Sequence, residues 1–193
     1  MRLRYRGDDN AEPIGSKLVL AALAVCALNA CTSGGVGDPC VPEEEYAQGF
    51  SGFGAEEANA ESRSLQCETR VCLVNHFQGR VSCPYGQTEQ QGTSDPRCFV
   101  PGSSDPIRSA VTPQLLHRRA DDAVYCSCRC DGPDKSARYC ECPTGFGCEP
   151  VIPKFGLGRE QLAGSYCVKE GTSFSSDSPS SNEVCDADKK NCE

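Results

Sequence analysis

Sixteen of the 193 residues are cysteine, about 8%, and no other feature restricts the possible folds as strongly. Cysteine at this density marks a disulfide scaffold, in which covalent cross-links replace much of a hydrophobic core. The remaining apolar content agrees: there is no tryptophan, seven phenylalanines, and only 38% of residues are hydrophobic. The expected fold is therefore small and disulfide-rich, made mostly of β-hairpins and irregular loops with at most one or two short helices. A formal charge of −8 without any basic run removes the cationic face that a nucleic-acid partner requires. A disulfide scaffold also demands an oxidising compartment, so the chain should carry an export signal.

Such a signal lies at the N-terminus. Arg2, Arg4, Arg6 and Lys17 precede an apolar run of thirteen residues, Leu18 to Ala30. This length suits the hydrophobic region of a secretory signal and is short of the ~20 residues of a membrane span. Asp8, Asp9 and Glu12 nearly cancel the charge of the preceding segment, which leaves Lys17 as the cation beside the run. The run ends in Leu28-Asn29-Ala30-Cys31, and glycine-rich polar chain follows. This ending resembles the lipobox of bacterial lipoproteins, with an aliphatic residue at −3, a small one at −1 and the obligatory cysteine; Asn29 departs mildly from the usual small residue. The resemblance implies cleavage after Ala30, diacylglyceryl transfer to the Cys31 thiol and acylation, for instance by palmitate, of the new amine. It also implies an outer-membrane destination, since Thr32 rather than aspartate follows Cys31. Membrane attachment is then through lipid, each buried CH₂ contributing ~0.8 kcal/mol. Electrostatics would oppose it: beyond residue 30 the chain has 15 basic and 24 acidic residues. The competing reading is an ordinary cleaved signal, with Cys31 joining a disulfide.

The cysteine count bears on that choice. Cys26 leaves with the signal, and after Cys31 come Cys40, Cys67, Cys72, Cys83, Cys98, Cys126, Cys128, Cys130, Cys140, Cys142, Cys148, Cys167, Cys185 and Cys192. These fourteen form an even set only if Cys31 is set aside for lipid. Up to seven disulfides are expected, each contributing typically ~2–4 kcal/mol. The expected organisation is a signal peptide (1–30), a flexible tether (31–39), a first cysteine-rich segment (40–100), a connector with a short helix (101–124), a second cysteine-rich segment (125–170) and a disordered serine-rich tail with a terminal cysteine pair (171–193). Five cysteines fall in the first segment and seven in the second. If Cys185 and Cys192 close their own loop, at least one bridge must join the segments.

Local patterns fill in this frame. Two β-prone runs around Gln78-Gly79 suggest a hairpin over Thr69 to Tyr85. Ala55 to Ser64 favours helix by propensity, and Thr112-Pro113 suggests the start of a short helix over PQLLHRRADDA. Arg118 and Arg119 with Asp121 and Asp122 read as a solvated charged face. Phe50 and Phe53, in GFSGFG, read as plugs of a small core. The turn-forming Asp131-Gly132-Pro133-Asp134 suggests a second hairpin about Lys135, in which Cys130 would face Cys140, Cys128 would face Cys142, and Cys126 would need a distant partner. The stretch Cys140-Glu141-Cys142-Pro143-Thr144-Gly145-Phe146 resembles the last part of an EGF-like module, without its upstream spacing. Across most of the mature chain, GDPC, QCETRVCL, GRVSCPYGQ, YCSCRC and GSYCVK resemble uncharacterised cysteine-rich lipoproteins of myxobacteria-like bacteria, a likeness that implies no activity.

Catalytic signatures are missing from the sequence: no G-x-S-x-G, H-E-x-x-H, C-x-x-C, C-x-x-C-H or phosphate-binding loop occurs. His76 and His117 read as surface or packing residues. The expectation is a non-enzymatic structural or interaction module of the cell envelope, with no cofactor beyond the lipid on Cys31 and an unidentified protein or envelope partner. The alternative is a metal-binding or redox lipoprotein using the Cys126–Cys142 cluster as soft thiolates. A protease inhibitor is a third class. Asp186, Asp188 and Asn191 match part of a calcium loop but lack its glycine and bidentate glutamate, and read as solvated tail.

Overall fold

The computed structural model describes residues 34–153, 161–174 and 183–192. The signal, Leu28, Asn29, Ala30 and Cys31, and most of the serine-rich stretch lie outside these residues.

Among the described residues six short strands form two antiparallel sheets of three. The first sheet has the order β1 (Ala58–Glu61), β2 (Val71–Asn75) and β3 (Val124–Ser127); the second has β4 (Arg129–Asp131), β6 (Gly164–Lys169) and β5 (Phe146–Ile152). Among the described residues the only α-helices are α1 (Glu89–Ser94) and α2 (Ala120–Ala123). The chain is thus a small disulfide-rich, mostly β protein, as the cysteine count predicts.

The central strand β2 explains the placement of the core. Its β-branched sequence suits a sheet, and all of it beyond Val71 is buried. Side chains alternate across a strand. Cys72 and Val74, with Val124 and Cys126 opposite them, face Cys40, Phe53, Cys67 and Phe77. Leu73 and Tyr125, also opposite each other, face Val151, Ile152, Tyr166 and Val168 of the second sheet. Tyr125 links the sheets directly: its ring meets Phe146 edge to face at 5.8 Å, and its Oη accepts the Lys169 backbone N–H at 3.0 Å. Both plugs of the GFSGFG loop are in place, Phe53 buried and Phe50 set edge-on against it at 4.8 Å.

Several local expectations give way to long-range pairing. The hairpin over 69–85 does not form, because both edges of β2 are occupied by β1 and β3. His76 turns the chain with a left-handed φ of 55°, and Gly79 exchanges both backbone bonds with Phe53 at 2.9 Å. Ala55 to Ser64 supplies β1 rather than a helix, since the small Ala60 fits under Leu73 at 3% exposure. The helix expected from Pro113 shrinks to α2. Upstream of it the Gln114 and Leu116 amides donate instead to Pro84 and Glu183. Conversely, α1 carries a complete capping box, with Gln91 N–H donating to Thr88 Oγ1 and Thr88 N–H to Gln91 Oε1. That pattern was readable as Thr-x-x-Gln. Beside α1, Gln87 ties a satellite core around Ile107 and Val111, donating to Ile107 O and Ser109 O and accepting from the Arg97 and Cys98 amides.

Backbone bonds also tie down described residues near both ends. Residues 34–39 are bound rather than free: Gly34 bridges to Cys67, Gly37 donates to Cys126 O, and Cys126 donates back to Asp38 O at 2.8 Å. Gly37 has φ 98°, and a Cβ there would lie 2.7 Å from the Phe146 ring. Residues 183–192 likewise pair with the connector, through Leu116 N–H to Glu183 O and Cys185 N–H to Gln114 O, both 2.8 Å. Exposed backbone polar groups find partners in both places, which is what holds these stretches down.

Candidate functional site

All fourteen cysteines after Cys31 are paired: Cys40–Cys72, Cys67–Cys126, Cys83–Cys98, Cys128–Cys140, Cys130–Cys148, Cys142–Cys167 and Cys185–Cys192. The terminal pair closes its own loop and Cys67–Cys126 joins the two segments, so Cys126 has the distant partner it needed. The register predicted about Lys135 is not formed. The turn itself is present, with Asp131 Oδ1 accepting from Gly132 N–H and Lys135 Nζ, but β4 runs alongside β6 and the returning arm forms no strand. Cys128 consequently meets Cys140, while Cys130 reaches across to β5.

The bridges are not evenly spread. One group brings the sulfurs of Cys40, Cys67 and Cys126 within 4.8 Å of one another in the first core. The other joins three bridges. Cys128 Sγ lies 3.5 Å and Cys140 Sγ 3.8 Å from Cys167 Sγ, and Cys130, Cys142 and Cys167 lie mutually within 4.8 Å. On β6, Tyr166 and Val168 point into the core between the sheets, so Cys167 occupies the other face. Cys148 sits directly opposite it on β5. A metal cluster at Cys126–Cys142 is not favoured by this pairing. A disulfide sulfur has shared the electron pair and negative charge that make a thiolate a ligand.

Away from sulfur, the charged residues serve mainly to hold loops. Glu45, in a 3₁₀ turn at Glu43–Tyr46, and Arg80 are both fully buried. Glu45 accepts from the Val81 amide at 2.5 Å and from the Ser82 amide and hydroxyl at 3.0 and 2.7 Å. Arg80 donates to Phe50 O at 2.6 Å and to Glu45 O, and lies over the Phe50 ring at 5.5 Å. Nothing local in the sequence signals this pair, since its members are far apart in the chain.

Arg118 is not part of a solvated face. Its guanidinium donates to Asn75 O, His76 O and Thr172 O at 2.6–2.8 Å and covers the Phe174 ring, which stacks on His76 at 4.0 Å. Arg119 and Asp121 do form an exposed pair at 3.1 Å. Burial, and secondarily the Arg118 charge, holds the His76 imidazole below its ordinary pKa of 6.5, against a smaller opposing pull from Glu56. The fold thus favours neutral His76. The unfolded chain takes up the proton first, so this contribution is complete above the ordinary value and is lost as pH falls below it. His76→Phe keeps the stack without the titration. Its stability is expected to change less between about pH 7 and about pH 5 than that of the parent, measured by urea unfolding; identical profiles would remove His76 from the account. His117 lies on the surface, 3.5 Å from the exposed Glu183 carboxylate.

Two clefts remain. One of about 590 Å³ is lined by Tyr85, Arg97 and the terminal loop around Asp186 and Lys189. Within that loop Asp186 Oδ1 accepts from the Asp188 amide and Asn191 Oδ1 accepts from the Asp186 amide, so the Asp186 and Asn191 side chains cap their own turn. The other, about 370 Å³, is lined by Glu43, Glu44, Asn59, Glu61 and Arg63 among others. Burial raises the Glu61 pKa, assisted by the charges of Glu44 and Glu43 and opposed by the Glu43 amide that donates to it.

The architecture defines a class: a two-sheet, seven-disulfide β protein whose bridges carry most of its covalent order. Searches against protein families, curated proteins and solved structures return no match.

Proposed function

We propose that this chain is a lipid-anchored protein of the bacterial cell envelope, tethered at Cys31 to the outer membrane and acting as a non-catalytic structural or interaction module. The observation that carries this reading is the complete pairing of the fourteen cysteines that follow Cys31. That pairing accounts for every cysteine after Cys31 and requires no disulfide partner from the lipobox position, which agrees with its use for lipid. Seven bridges also suit an exported protein, because thiols persist in a reducing cytosol. Anchoring by lipid agrees with the acidic mature chain, which repels anionic lipid headgroups. The partner is a protein or other envelope component.

Cys31→Ala is expected to move the protein from the detergent phase to the aqueous phase and to remove the acyl mass from the N-terminal peptide. Stable acylated anchoring takes more than one chain, so the effect should be close to complete. Unchanged membrane retention would overturn the anchor.

A further inference from the structure

Three disulfides packed sulfur to sulfur behave as one chemical unit if a reagent reaches any of them. Of the fourteen paired cysteines only Cys148 is exposed; Cys130, Cys140 and Cys142 are half-buried, and Cys128 and Cys167 are buried at 6% and 0% exposure. Cys148 lies on β5, an edge strand of the second sheet, while its bonded partner Cys130 points into the cluster. Solvent therefore reaches the Cys148 end of one bridge, and the Cys130 sulfur at its other end lies within 4.8 Å of the next.

We propose that Cys130–Cys148, Cys142–Cys167 and Cys128–Cys140 form a thiol–disulfide exchange relay, opened by an external thiol at Cys148. Exchange proceeds by attack of a thiolate on a disulfide sulfur, and access selects which sulfur is attacked. The external thiol loses its proton to solvent and attacks Cys148 Sγ. A mixed disulfide forms there, the Cys130–Cys148 bond breaks, and its electron pair leaves on Cys130. That thiolate lies within 4.8 Å of Cys142 and Cys167. Attack on Cys142 forms Cys130–Cys142 and leaves the pair on Cys167. Cys167 is in turn 3.5 Å from Cys128 and 3.8 Å from Cys140, so the same step repeats. Each internal exchange conserves the number of disulfides. A second external thiol then attacks the mixed disulfide, leaves as the oxidised dimer, and completes a two-electron reduction. Two protein thiols result, one on Cys148 and one shared by the cluster.

The molecule contains its own control. Cys40, Cys67 and Cys126 are as closely packed, but all four cysteines of their two bridges are at most 2% exposed, so no external thiol starts exchange there. The relay is independent of the lipid anchor.

The test exposes the full native chain briefly to reduced glutathione, quenches with acid and iodoacetamide, and maps glutathione and alkyl groups by peptide mass. Glutathione is expected on Cys148, with the alkylated thiol distributed over Cys130, Cys142, Cys167, Cys128 and Cys140, while Cys40, Cys72, Cys67 and Cys126 remain bridged. Alkylation confined to Cys130, first attack at another bridge, or no glutathione uptake would each overturn the relay. In the variant with Cys130→Ala and Cys148→Ala, intact mass first verifies six remaining bridges. Glutathione is then expected to open Cys142–Cys167 and Cys128–Cys140 at least about tenfold more slowly; an unchanged rate would show that Cys148 does not admit the thiol. Replacing glutathione with a protein dithiol, thioredoxin, distinguishes a small-molecule thiol from a protein as the source: whichever thiol modifies Cys148 faster is the better match.

Discussion

Arg80→Met is expected to destabilise the protein by about 3–5 kcal/mol, read as a lower urea midpoint with disulfides intact. Both side chains of the Glu45–Arg80 pair have zero exposure, so removing the cation leaves a carboxylate with no water to solvate it. The bonds from Val81 and Ser82 hold the Glu45 oxygens but do not neutralise the charge. The substitution also deprives Phe50 O and Glu45 O of their donor and removes the cation from the Phe50 ring. Glu45→Gln isolates the charge effect, because an amide oxygen still accepts from the Ser82 hydroxyl. Its cost should be smaller than that of Arg80→Met. A loss below about 1 kcal/mol for Arg80→Met would mean that the pair does not order the 43–53 loop, since solvated ion pairs typically contribute that little.

The second large effect concerns the staple between segments. Cys67 and Cys126 are 59 residues apart, whereas Cys185 and Cys192 are 7 apart. Chain-entropy reasoning assigns about 4 kcal/mol to the long loop and about 2.5 kcal/mol to the short one. Replacing Cys67 and Cys126 by alanine should cost more still, because both side chains are buried, at 1% and 0% exposure, and their removal leaves a cavity. The Cys185→Ala, Cys192→Ala variant should lose clearly less, since Cys192 is half-buried and the loop is short. Equal midpoint shifts for the two double variants would refute the argument from loop length.

These two cases show how far reading residues in order can go. The bridge between segments followed from odd cysteine counts on either side, a matter of arithmetic. The burial of Phe53 followed from an apolar side chain on a glycine-rich loop with little other core to join. By contrast, Glu45 follows two other glutamates, and Arg80 follows Gly79 in what resembles a hairpin. Nothing at either position indicates that they meet. Arg118 departs from its local pattern for the same reason: beside Arg119, Asp121 and Asp122 it looks solvated, yet its three acceptors come from β2, the turn after it and Thr172. The 58–61 strand was obscured by alanine and glutamate, whose helix preference is worth only tenths of a kcal/mol per residue and yields to pairing with β2.

The exchange relay rests on the same distinction. Cysteines two apart ruled out easy bridging between neighbours, but partner choice among Cys128, Cys130, Cys140 and Cys142 depended on whether the second arm of the turn formed a strand. It does not, because β4 takes β6 as its neighbour, and β6 is more than thirty residues further along the chain. The same pairing puts Cys148 opposite Cys167 and leaves it exposed at a sheet edge.

Sequence alone was enough to determine the disulfide-rich β class, the number of bridges and the existence of a covalent link between the two cysteine-rich segments. Those properties depend on counts, parity and composition, which do not change when the chain folds. Tertiary structure alone decided which cysteines pair, which bridges touch and which one meets solvent. Those depend on strand neighbours drawn from distant parts of the chain, where the energy of burying a shared face outweighs any preference a short segment has for itself.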